Sequence, residues 1–371
     1  MRIGIMMRHM EGQIGGVATY TLEVLKHMFE IDSLNEYVLF YKTPPRHQSF
    51  ARFPNVEEIV VRFPTRILWD QVAIPIKIRE KRIDILFNPK LTVPILTSCK
   101  SVFVRTGGDW YAFPQNYPLL DRIYFTLAAP IYLHKAAGIV SISNCCTEQL
   151  LHHTSLNPKK LFTIYPGVAE RYCARHDEER LRFVKERYGL PDQFMLFVGK
   201  IYPMKNFTRI LLAFHEARKR RSFKFVFVGK PFLKYKKELR IIDDLGLEKE
   251  VIQVGWVPDE DLPSFYQLAT FLSFPSLYEG FGFPIIEAMA SGCPVLTSDR
   301  GGATAEVAGG AALLVDPTNV NSIAEGMYQM ISDETLRQGL REKGLKRARD
   351  FTWEDCSRRT LSLLERVAKE E

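Results

Sequence analysis

Residues 274–292, FPSLYEGFGFPIIEAMASG, indicate the end of a β-strand, a glycine-containing loop and then an α-helix. Pro284 suits the first helical position, where its missing N–H group costs nothing, and Gly292 suits the C-terminal end of the helix. The two glycines before Pro284 let backbone amides approach a ligand closely. The helix start adds unpaired N–H groups and the positive end of a dipole. This segment therefore predicts a phosphate-binding site.

Two glutamates flank this predicted phosphate site. A carboxylate repels phosphate, so Glu279 and Glu287 need other partners, and the hydroxyl groups of a sugar and of a ribose are suitable donors. In the alternative interpretation, Glu279 is an ordinary loop carboxylate and Glu287 is a solvated residue of the first helical turn, where acidic residues are favoured. Four apolar residues surround Glu287 in the sequence and argue against a freely solvated position: Ile285, Ile286, Ala288 and Met289.

The composition is that of a soluble globular protein with room for two domains of ordinary size. The chain has 371 residues, of which 46% are hydrophobic and 25% are charged. Its 50 basic and 43 acidic residues give a formal net charge of +7. This charge suits an anionic membrane surface or a diphosphate-bearing substrate, or is merely a basic surface. We find no nucleic-acid-binding motif, so no nucleic-acid partner is expected.

The beginning of the chain predicts a cytoplasmic protein. Residues 1–5 form a strand-like run instead of a secretory leader. No apolar run reaches the ~18–20 residues needed to span a bilayer. The longest candidate, residues 124–142, is interrupted by His134 and Lys135 and predicts a buried helix that leads into a strand. The six cysteines form no C-x-x-C pair and are expected to be reduced core thiols.

Strand-like and helix-like runs alternate along the whole chain, which predicts parallel sheets covered by helices. The first strand is followed by Gly15 and Gly16 and then by a helical stretch at 17–29. This glycine pair lets the backbone approach a ligand but lacks the complete G-x-G-x-x-G pattern, so a plain tight turn fits as well. Residues 68–82 are amphipathic, which is typical of a surface helix; a membrane-facing basic helix is the alternative.

Two lysines follow a strand-like run in the second half of the chain. The run at 194–198 is followed by Gly199 and Lys200, and Lys205 comes five residues later. A diphosphate requires more charge neutralisation than backbone amides supply, and lysines at a strand end can provide it. Solvated lysines at a strand end are the ordinary alternative. The acidic run 259–261 formally resembles a metal-binding pair, but its position predicts a helix N-cap.

The long glycine-containing motif, in which seven residues separate Glu279 from Glu287 and EAMASGCPV begins at Glu287, resembles the signature of glycosyltransferase family 4. The resemblance extends from about residue 3 to the end of the chain and is strongest from Val198 onward. It implies the α/β fold called GT-B, with two Rossmann-like domains facing each other across a deep cleft and a C-terminal helix that crosses back to the first domain. The implied domains are 1–172 with 355–371, on the acceptor side, and 173–354, which binds the nucleotide sugar.

The resemblance also implies the reaction and its partners. The expected enzyme is a retaining, metal-independent glycosyltransferase that moves a hexose-type sugar, mannose in the first instance, from a nucleotide-diphosphate sugar. A GDP-, UDP- or ADP-sugar would be a substrate, so no cofactor is expected. A glycan or lipid-linked acceptor, as in polysaccharide biosynthesis, and peripheral contact with the inner membrane face are further expectations. The alternative is a non-catalytic, nucleotide-sugar-binding regulatory subunit of a partner transferase.

The same resemblance assigns roles to individual residues. Lys200 and Lys205 match the family pattern Arg/Lys-x-x-x-x-Lys and would stabilise the leaving diphosphate together with the amides of residues 280–283. Glu279 would hold hydroxyl groups of the donor sugar, and Glu287 would hold the ribose diol. The assigned catalytic residues are Lys205, Lys200, Glu279 and Asp109. The assigned donor-binding residues are Gly15, Gly16, Gly199, Lys230, Trp256, Val257, Phe281, Gly282, Phe283 and Glu287.

One position departs from the family pattern. Relatives usually carry His-Asp where this chain has Gly108 and Asp109, and the histidine helps to hold the donor sugar. A donor without a free 6-hydroxyl group would explain the difference, and so would another side chain in the role of the histidine. The missing histidine is also the reason for considering the regulatory subunit.

Overall fold

The computed structural model describes residues 1–11, 15–45, 49–107, 109–173, 177–229 and 236–370. They form two compact units, Met1–Gly167 with Thr352–Glu371 and Val168–Phe351. The units divide after residues 167 and 351, whereas the sequence places its domain boundaries after 172 and 354. Each unit contains a parallel β-sheet with helices, as the alternating pattern predicts.

The sheet of the first unit has seven strands in the order β3-β2-β1-β4-β5-β6-β7. Its runs are rich in Val, Ile, Leu and Phe, because parallel strands are buried on both faces. β1 lies between β2 and β4, so the strand order reverses at β1 and β4. The strands are β1 (Arg2–Met6), β2 (Glu36–Tyr41), β3 (Val56–Val60), β4 (Ile85–Asn88), β5 (Lys100–Arg105), β6 (Gly138–Ser141) and β7 (Leu161–Thr163).

The helices of the first unit include the helical stretch at 17–29 and the amphipathic stretch at 68–82 that the sequence predicts. The surface helix expected at 68–82 is α2, a π-helical turn and α3 in succession. The helices are α1 (Gly16–Ile31), α2 (Arg66–Leu68), α3 (Ile74–Glu80), α4 (Asp109–Ala112), α5 (Leu119–Lys135) and α6 (Asn144–His153).

The prediction of a buried helix before β6 was wrong in one respect. The helix exists as α5, but it buries only Ala129, Tyr132 and Leu133. Leu120 and Leu127, on its other side, are 79% and 67% exposed. The sequence run is apolar on both sides of the helix, and only one side packs against the unit.

The sheet of the second unit has six strands in the order β10-β9-β8-β11-β12-β13. The strands are β8 (Phe194–Val198), β9 (Lys224–Val228), β10 (Val251–Gly255), β11 (Phe271–Phe274), β12 (Val295–Ser298) and β13 (Leu313–Val315). The helices are α7 (Glu170–Cys173), α8 (Glu178–Tyr188), α9 (Phe207–Arg220), α10 (Lys236–Asp244), α11 (Leu262–Leu268), α12 (Phe283–Ala290), α13 (Thr304–Ala308), α14 (Val320–Ser332) and α15 (Glu334–Ala348).

The last helix, α16 (Trp353–Lys369), belongs to the first unit and packs on α1, which confirms the predicted return of the C-terminal helix. The Ser357 hydroxyl donates a hydrogen bond to the carbonyl of Val24 at 2.9 Å. The rings of Tyr20 and Trp353 meet edge to face with centroids 5.8 Å apart. Thr352 caps the helix by accepting a hydrogen bond from the amide of Asp355, the role for which threonine is favoured.

The described chain also tests two composition-based predictions. No helix in the described ranges is long and apolar enough to cross a membrane. Cys146, Cys293 and Cys356 are buried, as expected for core thiols. Cys173 is exposed, so the prediction fails for this residue.

Candidate functional site

The strand order of the second sheet brings two chain segments together at its carboxyl edge. β8 and β11 are neighbours, yet the chain continues from β8 to β9 and β10 on one side and from β11 to β12 and β13 on the other. In open parallel sheets, ligands bind outside the carboxyl ends of the strands at such a reversal. The segments that follow β8 and β11 contain Lys200, Lys205 and Glu279.

Lys205 and Glu279 form an ion pair at this reversal. The Nζ atom of Lys205 donates a hydrogen bond to Oε1 of Glu279 at 2.6 Å, and it lies 4.6 Å from the centroid of the Phe274 ring. The two side chains are only 21% and 13% exposed. A Cβ atom added to Gly199 would lie 3.9 Å from Cε of Lys205. The structure therefore brings together three of the predicted residues: Lys205, Glu279 and Gly199.

Asn206 fixes the backbone next to Lys205. It is a buried residue with φ +61°, a left-handed conformation that asparagine adopts more readily than most residues. Its Nδ2 atom donates hydrogen bonds to the carbonyls of Pro275 at 3.0 Å and Pro317 at 2.6 Å. Asn206 thus connects the segment after β8 to the segment after β11. The role of this residue was not predicted, although an asparagine directly before a helical run was the available signal.

A second glycine pair holds the backbone of Glu279. The Glu279 amide donates to the carbonyl of Gly301, and the amide of Ala303 donates to the Glu279 carbonyl, both at 2.9 Å. Gly302 has φ +73°, and a Cβ atom there would lie 2.4 Å from the Glu279 carbonyl oxygen. Only glycine fits this close approach, so Gly301 and Gly302 position Glu279. Sequence reasoning gave neither glycine a role.

The helix after Glu279 begins and ends much as the sequence predicts. Pro284 lies in the first turn of α12, and Gly282, with φ +101°, is its N-cap residue. Gly292, with φ +74°, follows the last turn, and its amide donates to the carbonyl of Met289. A Cβ atom added to Gly282 would lie 3.9 Å from Cβ of Glu279, so the helix start adjoins the ion pair.

The aromatic residues beside Gly282 pack together. The rings of Phe281 and Phe283 have centroids 5.3 Å apart, and Phe281 also meets Phe351 at 5.5 Å. Phe281 is buried. These contacts give the loop before α12 a fixed hydrophobic side.

Glu287, on α12, is half-buried and so not freely solvated, as its sequence neighbours predict. Its Oε2 atom accepts a hydrogen bond from the Tyr266 hydroxyl at 2.8 Å. Burial raises the pKa of the Glu287 carboxyl to about 6, although the Tyr266 hydrogen bond, the charge of Arg171 and the Tyr172 hydroxyl act in the opposite direction. Glu287 can therefore change its protonation state just below neutral pH.

This pKa predicts how the variant Glu287→Gln behaves. A carboxyl whose pKa rises on folding contributes stability below its unfolded pKa, and this contribution is lost as pH rises through about 6. The free energy of unfolding of Glu287→Gln, relative to that of wild type, should therefore rise by about 2 kcal/mol between pH 4.5 and 6. Above pH 6 this difference should stay constant. Urea denaturation across this range measures the difference. The control variant is Glu342→Gln, because Glu342 is exposed. If the difference in unfolding free energy from wild type stayed constant with pH for both variants, the prediction would be contradicted.

The other predicted residues of the second unit that the structure describes lie at the same edge of the sheet. Lys200 is exposed and, in the described ranges, makes no side-chain hydrogen bond or ion pair. Trp256 directly follows β10 and is 60% exposed, whereas Val257 is buried. The amide of Gly229 donates to the Gly255 carbonyl at 2.7 Å, which links the ends of β9 and β10. Lys230 lies outside the described residues.

The predicted residues of the first unit that the structure describes come after strands β1 and β5 in the chain. Gly15 is the N-cap residue of α1 and Gly16 is its first residue. Asp109 is the first residue of α4. Gly108, where relatives usually carry histidine, lies outside the described residues.

A charged cluster that sequence reasoning missed lies where the strand order of the first sheet reverses. Arg8, just after β1, donates two hydrogen bonds to the buried Asp70, both at 2.8 Å. Nε2 of His9 lies 2.7 Å from the Thr21 hydroxyl oxygen. Burial lowers the pKa of His9 to about 3, together with the smaller effects of the Lys90 and Arg8 charges. The cluster thus combines a neutral histidine with more positive than negative charge, which suits an anionic group.

The acidic run before α11 has a structural role. Asp261 occupies the N-cap position but makes no capping hydrogen bond, so that part of the prediction was wrong. Its buried carboxylate accepts a hydrogen bond from Tyr188 at 2.6 Å and pairs with Arg187 at 3.3 Å and with Arg180. Among the described residues, no group of three or more His, Cys, Asp or Glu side chains could hold a metal ion.

Comparison with known families identifies the part of the chain that carries this site. Residues 178–347 match the family model of glycosyl transferases group 1. The matched range includes Lys200, Lys205, Glu279 and Glu287, and it covers most of the second unit.

The chain is also similar to individual glycosyltransferases. The chain is 28% identical over 256 residues to the O-antigen chain mannosyltransferase B of Escherichia coli. The matched residues are 68% of this chain and 66% of that protein. The match therefore spans slightly less than two thirds of that relative.

Solved structures match the chain almost completely. A glycosyltransferase from Rickettsia africae ESF-5 has a TM-score of 0.78 at 19% identity and covers 100% of this chain and 99% of its own. Anabaena Alr3699/HepE in complex with UDP-glucose has a TM-score of 0.79 at 17% identity, and the match covers 98% of this chain and 99% of that chain. This likeness confirms the predicted GT-B fold class with its two Rossmann-like domains. The assignment to family 4 in particular stays a prediction.

Proposed function

We propose that this protein is a retaining glycosyltransferase that moves a hexose, mannose in the first instance, from a nucleotide-diphosphate sugar to a glycan or lipid-linked acceptor. The observation that carries the proposal is the Lys205–Glu279 ion pair, 2.6 Å long, at the strand-order reversal of the second sheet. A reversal of this kind is where a nucleotide binds in Rossmann-like domains. The pair lies within the range that matches group 1 glycosyl transferases.

Lys205 stabilises the leaving diphosphate in this proposal. An ammonium group carries three N–H donors, so Lys205 can hold Glu279 and a phosphate oxygen at the same time. Negative charge grows on the diphosphate as the bond to the sugar breaks, and a positioned cation lowers the energy of that state. The nearby start of α12 adds the positive end of its dipole. Lys200, which is exposed, supplies a second and less firmly held charge.

The two glutamates hold hydroxyl groups of the donor. Glu279 keeps a second carboxylate oxygen that can accept a hydrogen bond from the sugar, and its backbone is fixed by the glycines at 301 and 302. Glu287 accepts from the ribose diol, with Tyr266 keeping its carboxylate oriented. The exposed Trp256 offers an apolar surface to the nucleotide base.

The acceptor attacks on the face of the sugar from which the diphosphate leaves, which accounts for retention. The cations and the helix dipole supply the charge neutralisation, so the reaction proceeds without a metal. We therefore expect turnover with a chelator present to equal turnover in its absence. Activity measured before and after EDTA treatment, with Mg²⁺ added back, tests this step. A large loss that Mg²⁺ restores would contradict it.

The choice of donor and acceptor follows the relatives. The Escherichia coli relative is a mannosyltransferase that acts on the O-antigen chain, which supports mannose and a glycan acceptor. The Anabaena structure contains UDP-glucose, so UDP-glucose is the second donor to test. A nucleotide-sugar donor supports a cytoplasmic location.

A donor panel tests the proposal. Thermal-shift measurements with GDP-, UDP-, ADP- and dTDP-sugars should show one nucleotide that raises Tm, because a ligand at about 100 times its Kd stabilises a protein by about 2.7 kcal/mol. The selected donor should then give a glycoside product, or slow release of free sugar. No shift with any donor would refute the proposal. Tight binding without product would favour the regulatory subunit.

A further inference from the structure

The exposed large hydrophobic side chains of this protein are concentrated in one part of the first unit. Eighteen such residues occur in the described chain, and eleven of them lie on three segments of the first unit. We call these eleven residues the apolar face: Ile67, Leu68, Val72, Ile76, Ile95, Leu96, Leu119, Leu120, Ile123, Leu127 and Ile131.

Helix α5 contributes the largest share of this face. Leu120, Ile123, Leu127 and Ile131 follow one another at intervals of three or four residues, so they lie along one side of the helix. These side chains are between 47% and 79% exposed. The outward side of a surface helix is normally polar. An apolar outward side indicates that something else covers it.

The segment from α2 to α3 repeats this arrangement. Leu68, Val72 and Ile76 are spaced four residues apart and are 44%, 40% and 49% exposed. The neighbouring loop adds Leu96, which is 79% exposed. The same segment is the one whose sequence allows a membrane-facing basic helix.

Hydrogen bonds and packing join the three segments into one surface. Gln71, in the π-helical turn, accepts a hydrogen bond from the amide of Ile95 at 2.8 Å and donates one to the carbonyl of Val93 at 3.1 Å. Gln71 also lies near the Tyr132 hydroxyl of α5. Val93 packs in one cluster with Tyr132 and Leu133.

The charges around the apolar face are mainly positive. Residues 66–80, 90–96 and 119–135 contain six Lys or Arg residues and three Asp or Glu residues. Two of the three carboxylates are already paired, Asp70 with Arg8 and Glu80 with Lys77. The excess of cations is complementary to an anionic surface and disfavours contact between two copies of the same face.

The chemistry of the face fits lipid better than protein. All eleven side chains are Leu, Ile or Val, whereas the energetic centres of protein interfaces are enriched in Trp, Tyr and Arg. Amphipathic helices with aliphatic residues beside Lys and Arg bind in the interface of anionic bilayers. We propose that the apolar face docks the first unit onto an anionic membrane surface. That this brings the protein to a lipid-linked acceptor rests on the proposed function.

Vesicle binding tests the docking surface. The full-length protein should co-sediment with vesicles of phosphatidylcholine and phosphatidylglycerol, and less with phosphatidylcholine alone. The double variant Leu120→Gln/Leu127→Gln should lower the partition coefficient about 10-fold or more, because two exposed leucines no longer enter the bilayer. The matched control is Leu34→Gln, since Leu34 is 89% exposed in the same unit but outside the face. It should bind as wild type does.

The possible outcomes separate this inference from the proposed function. Equal vesicle binding by wild type and the double variant, or no binding by wild type, would overturn the docking surface. Dimers of wild type that the double variant abolishes, without any binding to vesicles, would overturn it in favour of a second copy. Nucleotide binding, measured on the same samples, should be the same in wild type and both variants. Its absence would refute the transferase and leave the vesicle result intact.

Discussion

Replacing Lys205 by alanine should lower kcat by about 100-fold or more, the usual effect of losing one donor to a developing negative charge. Of the two predicted lysines that the structure describes, Lys205 is the one held in a fixed position, by its bond to Glu279 and its contact with Phe274. Because the charge on the diphosphate grows mainly in the transition state, kcat should fall more than the affinity for the donor. Initial rates over a range of donor concentrations separate the two quantities.

The control for this variant is Lys200→Ala. Lys200 lies in the same segment but is exposed and makes no fixed side-chain contact among the described residues. A flexible, solvated cation stabilises charge less effectively, so the loss should be about 10-fold or smaller. Near-normal turnover of Lys205→Ala, or an equal loss in both variants, would contradict the assigned role of Lys205.

The variant Gly302→Ala should damage both stability and turnover. Its φ of +73° costs an alanine about 1–2 kcal/mol. The new Cβ atom would also lie 2.4 Å from the Glu279 carbonyl oxygen, so the backbone of Glu279 must move. Because a displacement of about 1 Å at a catalytic group can cost about 100-fold in rate, we expect a loss of turnover between about 10-fold and 100-fold. Urea denaturation and initial rates measure the two effects.

Gly310→Ala separates backbone strain from displacement of Glu279. Gly310 lies in the same unit with φ +78°, and a Cβ atom there would meet nothing within 4 Å. This control should lose about the same 1–2 kcal/mol from strain and keep wild-type turnover. If both variants retained full turnover, the position of Glu279 would not depend on the glycine pair.

Local sequence patterns predicted the elements around the site well. The start and end of α12 follow from Pro284, Gly282 and Gly292, whose backbone preferences act over a few residues. The strands could be located because parallel strands are apolar on both faces. Likewise, the apolar neighbours of Glu287 correctly predicted a carboxylate outside free solvent.

Contacts between distant residues could not be predicted in this way. Lys205 and Glu279 are 74 residues apart, and they meet because β8 and β11 are neighbours. Arg8 and Asp70, 62 residues apart, meet for the same kind of reason. Strand order is a property of the whole sheet, so no short pattern contains it.

The wrong predictions concern what an element packs against. The apolar run at 124–142 predicted the helix α5, but such a run cannot tell which apolar side of the helix finds a partner. The position of Asp261 suggested a cap, whereas its carboxylate binds Tyr188 and two arginines from α8. In both cases the neighbouring elements decide the role of the side chain.

We propose that a nucleotide diphosphate binds between Lys205 and the start of α12. A crystal structure of the protein with a bound nucleoside diphosphate tests it most directly. We predict a phosphate oxygen within about 3 Å of Lys205 Nζ, with the phosphate beside Gly282. A diphosphate bound elsewhere, with Lys205 contacting only Glu279, would contradict the claim.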